Sequence, residues 1–70
     1  MGLIRLRVRE LAEEKGWTLK EVSDRTGIPY STVKTYAQAP KMATVDYMAL
    51  QKLAEVFDVM VEDLVEVLER

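Results

Sequence analysis

Tyr30, Ser31, Lys34, Thr35 and Gln38 stand at i, i+1, i+4, i+5 and i+8. At 100° per residue they share one stripe of a helix, opposite Val33 and Tyr36. The stripe offers hydroxyls, an amide, a phenol and one ammonium, so it holds hydrogen-bond donors and acceptors together. A merely solvated helix face usually carries Glu and Lys in i, i+4 pairs. This one carries no carboxylate, and none occurs anywhere from Arg25 to Val45. Side chains of these types suit the donors, acceptors and thymine methyls that base edges present in a major groove. Carboxylates there would meet phosphates. Taken alone, the stripe is equally compatible with a polar face that has no function. Its place after a short helix and a glycine turn weighs for the first reading.

The overall charge points the other way, because the 70 residues hold 12 Asp and Glu against 10 Lys and Arg. Distribution matters more than the sum. Residues 1–41 carry eight basic and five acidic side chains, whereas residues 42–70 carry two and seven. The chain has neither cysteine nor histidine. That removes disulfides, thiolate metal sites and the commonest general base. With no phosphate-cradling glycine loop either, an enzyme is not expected, and neither is a cofactor, a metal or a small-molecule ligand. Paired acids such as Glu13 and Glu14 read as solvated, with no cleft around them. No run of apolar residues is long enough for a membrane span, and no secretory signal is legible. A cytoplasmic location is the resulting expectation.

Helical periodicity dominates the chain, and a single all-α domain over residues 1–70 is expected. Ile4, Val8 and Leu11 suggest a first helix to about Lys15, stopped at Gly16. Thr18 and Glu21 form a capping-box pattern for a second helix, with Leu19, Val22, Ser23 and Thr26 on or near one face. That helix ends at Gly27, where a left-handed residue is cheap for glycine. Pro29 suits the start of a third helix over 30–38, with Val33, Tyr36 and Ala37 inward. Residues 39–44 read as a loop. Asp46 or Thr44 caps a fourth helix with Leu50, Leu53, Ala54 and Phe57 inward. Asp58 and Val59 lead to a fifth near 61–69, with Val61, Leu64, Val65 and Leu68 inward. No strand alternation is evident.

The run "GWTLKEVSDRTGIPYSTVKTYAQA" at 16–39 resembles the phage repressor/Cro type of helix-turn-helix, also called xenobiotic-response-element-type regulators. The matching positions are Thr18 as polar cap, Val22–Ser23 as the apolar–small pair, Gly27 and Ile28 in the turn, and Val33 in the recognition helix. "LQKLAEVFDVMVEDL" at 50–64 extends the likeness to nearly the whole chain. The resemblance implies a compact five-helix repressor-like domain whose helices two and three form the helix-turn-helix. It implies a double-stranded DNA partner and transcription regulation; a second apolar edge on the fifth helix suggests a homodimer, which would suit a palindromic site. Base contacts would fall on Tyr30, Ser31 and Thr35, and the stripe adds Lys34 and Gln38. Phosphate contacts would fall on Thr18, Lys20, Lys41 and Thr44, with Thr32 grouped beside them. The chain also departs from the family's pattern. Leu19 stands where many members have glutamine, and Pro29 where Ser or Thr caps the recognition helix. Ala12 and Ala37 occupy the positions of an Arg–Glu pair, and losing both partners together is tolerable. The 39–45 loop is a few residues longer than usual.

Several residues carry two readings. Trp17 reads as a hydrophobic staple or core residue ahead of a stacking platform. Tyr36 reads as core with its hydroxyl at the rim. Tyr30 either packs on Pro29 or meets a thymine methyl and a phosphate. Arg5, Arg7 and Arg9 read as solvated charges around the first helix or as partners for Glu13 and Glu14, with a phosphate contact by one of them as the lesser alternative. Glu62, Asp63, Glu66 and Glu69 read as the wet face of the fifth. Met60, Leu64, Val67 and Leu68 mark a dimer seam, with core burial as the plainer account. A protein-interaction module of antitoxin-like or adaptor type is the alternative function, since the acidic second half would favour a basic partner.

Overall fold

A computed structural model gives the fold and describes residues 3–39, 41–42 and 45–69. In chain order the elements are β1 (Leu3–Leu6), α1 (Val8–Lys15), α2 (Leu19–Thr26), α3 (Tyr30–Gln38), α4 (Tyr47–Phe57), α5 (Val61–Leu64) and β2 (Val65–Glu69). The helices occupy the places expected for the second, third and fourth. The two ends of the chain differ from expectation, and the fold is therefore mostly helical without being all-α.

Ile4 lies in β1, and α1 begins only at Val8. The fifth helix stops after four residues, and the chain turns extended at Val65. β1 and β2 pair antiparallel, with Leu6 opposite Val65, Arg5 opposite Glu66 and Ile4 opposite Val67. The register then steps to Leu3 opposite Glu69, which leaves Leu68 as a bulged residue. Two causes explain the strands. Val65 and Val67 are β-branched, which suits a pleated surface. The sheet also unites segments some 60 residues apart, so tertiary pairing outweighs the local helical spacing of Ile4, Val8 and Leu11. Arg5 is accordingly a strand residue, and its partners are Glu10 and Glu66 in place of Glu13 or Glu14. The other edge of β1 is occupied too. The Ile4 amide donates to the Met42 carbonyl at 2.9 Å, and the Met42 amide donates back at 2.8 Å.

The core gathers one side of every element. Leu6, Val8, Val22, Val33, Leu53, Phe57 and Leu64 are fully buried. Trp17 packs its ring on Phe57 at 5.7 Å between centroids, so it belongs to the edge of this core. Ala12 and Ala37 are both buried in the same cluster, so neither position holds a charge that would need a partner. Leu64 has 0% exposure and is core, so it cannot also face a partner chain. Burying side chains of this size contributes roughly 1.5–3 kcal/mol each.

Candidate nucleic-acid interface

The α2–α3 unit is set by local chemistry. Thr18 takes an extended backbone and its hydroxyl accepts the Glu21 amide at 3.1 Å. The reciprocal half of the capping box is not made, because the Glu21 carboxylate accepts from Arg25 Nε at 2.8 Å. The Arg25 guanidinium also lies 4.2 Å over the Trp17 ring, a cation–π contact that ties the end of α2 to the core edge.

The turn between the helices is pinned by hydroxyls. Gly27 takes φ +76°, a conformation that costs an L side chain about 1–2 kcal/mol. Thr26 is buried, and its hydroxyl donates to the Val22 carbonyl at 2.8 Å while accepting the Ile28 amide at 3.1 Å. Ser23 donates to the Ile28 carbonyl at 2.6 Å. Pro29 caps α3 with no side-chain hydrogen bond, and its carbonyl accepts from both Thr32 and Val33 amides at 3.0 Å. These bonds fix the direction in which α3 leaves the turn. Sequence reasoning placed Ser23 and Thr26 on the helix but missed this task. A Ser and a Thr within the last turn before a glycine were the available signal.

α3 buries Val33 and Ala37 and leaves Thr32 and Tyr36 half-buried. Tyr30, Ser31, Lys34, Thr35 and Gln38 are all exposed, so the five stripe residues share the outer edge of one helix. No described carboxylate pairs with Lys34 or hydrogen-bonds to any of the five. Thr35 turns its hydroxyl inward and donates to the Ser31 carbonyl at 2.9 Å.

The described residues expected at phosphates lie at the start of α2, on α3 and in the loop after it. Thr18 and Lys20 are exposed at the start of α2, and Lys20 sits 3.7 Å from Asp24 in a solvated pair. Pairs of that kind contribute little. Lys41 is exposed beside Met42, whose bridge to Ile4 ties the loop to β1. Thr32 faces a groove of about 510 Å³ between the turn and α4, which Pro29, Tyr36, Met48 and Lys52 also line. Thr44 lies outside the described residues. At the start of α4, Asp46 accepts the Met48 amide at 3.2 Å and so satisfies that helix end itself.

A family model for the Cro/C1-type helix-turn-helix DNA-binding domain matches residues 7–69. The chain belongs to that family. The fold is also similar to the crystal structure of the transcriptional regulator VanUg, with TM-score 0.77 and 17% identity over 100% of this chain and 92% of that one. No curated protein matches it. At that identity the structural likeness speaks for the fold alone and leaves the chemistry of the Cro/C1-type domain to its own residues. No described helix is long and apolar enough to cross a membrane.

Proposed function

We propose that this Cro/C1-type domain binds double-stranded DNA sequence-specifically and regulates transcription, with α3 seated in the major groove. The observation that carries this reading is the exposed, carboxylate-free edge of α3, held outward by a hydroxyl-locked turn. Tyr30, Ser31, Lys34, Thr35 and Gln38 would meet base edges. Thr18, Lys20, Thr32, Lys41 and Thr44 would set register on the phosphates. Asp46 and Glu55 line the same groove as Thr32, but neither pairs with a residue of the α3 stripe, and the acids of 58–69 lie beyond the helix-turn-helix in sequence.

The protein is further proposed to act as a homodimer. Met60, Val67 and Leu68 are large apolar side chains left exposed near β2, with Met60 64% exposed. They form the seam in this proposal, without Leu64. Two copies would present two α3 helices to half-sites about one DNA turn apart.

A gel-shift titration against a site selected from random duplexes tests the reading. Apparent affinity should fall steeply as salt rises, because phosphate contacts release counterions. Lys34→Ala should cost about 1–3 kcal/mol at its preferred base and blunt sequence preference. Lys41→Ala should weaken all duplexes alike and lower the salt slope by about one. Binding indifferent to salt would sink the proposal.

A further inference from the structure

The stripe on α3 is not chemically uniform, and the difference lies in where the hydroxyls point. Thr35 donates its hydroxyl proton to the Ser31 carbonyl one turn back, at 2.9 Å. This is a favoured arrangement for threonine in a helix, and it fixes χ1. The tetrahedral Cβ then holds the methyl as the remaining substituent of an exposed side chain. Ser31 has no comparable tie, since its hydroxyl makes no hydrogen bond among the described residues. Lys34, next to Thr35, is an exposed ammonium with no described ion partner. The edge therefore places an apolar methyl beside a cationic donor and a free hydroxyl.

We infer that Thr35 reads a thymine through methyl–methyl contact, and that it does not act as a hydrogen-bond donor to a base. The inference rests on the proposed seating of α3 in the major groove and adds the identity of one base. The thymine C5-methyl is the apolar group that groove displays. Lys34, one residue away, matches the O6 and N7 acceptors of guanine. Successive side chains leave the helix about 100° apart, so the base that Lys34 meets is not set by the one Thr35 meets. The preferred half-site accordingly contains a thymine at the position that Thr35 faces.

The test separates the methyl from the hydroxyl on both molecules. Duplexes are first selected from a random pool with the wild-type protein. Each thymine of the selected site is then replaced by deoxyuridine, which removes only the C5-methyl, and competition binding is measured for wild type, Thr35→Val and Thr35→Ser. All three residues suit an exposed helix position similarly, so folding is not at issue. One deoxyuridine position should weaken wild type and Thr35→Val by about four-fold, the worth of one buried methyl, and leave Thr35→Ser unaffected. The contact is overturned if Thr35→Val loses the discrimination that Thr35→Ser keeps, because the Thr35 methyl is then not what meets the thymine methyl. An equal penalty in all three proteins overturns it too, since the methyl is then read elsewhere. A protein that selects no duplex removes the regulator proposal and this contact together. One that selects a duplex insensitive to every deoxyuridine removes only the contact.

Discussion

Thr26 shows how much one buried hydroxyl can decide. It is a buried polar residue that uses its oxygen twice, toward the Val22 carbonyl and from the Ile28 amide. Valine has nearly the same shape and no oxygen. Thr26→Val should leave the Ile28 amide without its partner and cost about 1–3 kcal/mol in urea unfolding, with the slope unchanged. An unchanged midpoint would show that the turn does not depend on this bond. Sequence reasoning recognised the stripe on α3 because exposure follows a helical period that five positions reveal. It could not recognise the work of Thr26 and Ser23, since that depends on where the chain goes after Gly27. Arg5 was misread for a related reason. Its role comes from Glu66, which stands 61 positions away and is brought near by the sheet.

At the level of elements, the α2–α3 corner was legible because its signals are local: Thr18 as cap, Gly27 as left-handed stop, Pro29 at the next start. Gly27 is a clean probe of that corner. An added Cβ there would meet nothing within 4 Å, so Gly27→Ala should cost only the backbone strain, about 1–2 kcal/mol, read as a lower thermal midpoint. A much larger loss would point to crowding that the open space denies. β1 and β2 were not legible, since four or five residues fit either period and their partners lie at opposite ends of the chain. The sheet carries a pH-dependent joint as well. Arg5 bridges Glu66 on β2 and Glu10 on α1, and its hydrogen bond holds the Glu10 carboxyl below its ordinary value of 4.5. A depressed acid contributes stability above its unfolded pKa and loses it as pH falls through the folded one. Thermal midpoints should therefore drop as pH falls below about 4.5, and Glu10→Gln should flatten that drop. The effect should be small because the pair is partly solvated. Parallel curves for the two proteins would remove the joint from the account.

For the whole molecule, the question is how a 70-residue domain holds DNA tightly enough to act. The proposed dimer would supply added affinity, and the exposed Met60 and Leu68 are where that proposal puts its seam. A Met60→Glu, Leu68→Glu protein should sediment as a monomer and, at concentrations where the wild type is itself monomeric, match its thermal midpoint within about a degree or two, because both side chains are solvent-facing. Leu64→Ala should behave in the opposite way and cost about 2–5 kcal/mol of stability, as a core truncation does. A double variant that still sediments as a dimer would move the seam elsewhere, and the Tyr47–Met48 surface is the other exposed apolar pair on the described chain.

The sheet has one more consequence, for how the chain acquires its shape. Residues 3–6 lie between Met42 on one side and residues 65–69 on the other. During synthesis the α2–α3 corner can form from neighbours as soon as it leaves the ribosome. The strand at 3–6, by contrast, gains its second flank only once residues 65–69 have been made. Closing so long a loop is slow beside forming a helix. Pairing of 65–69 with 3–6 should therefore come late in folding. Until then, the amide and carbonyl groups of that opening segment remain hydrated on the flank that 65–69 will later cover.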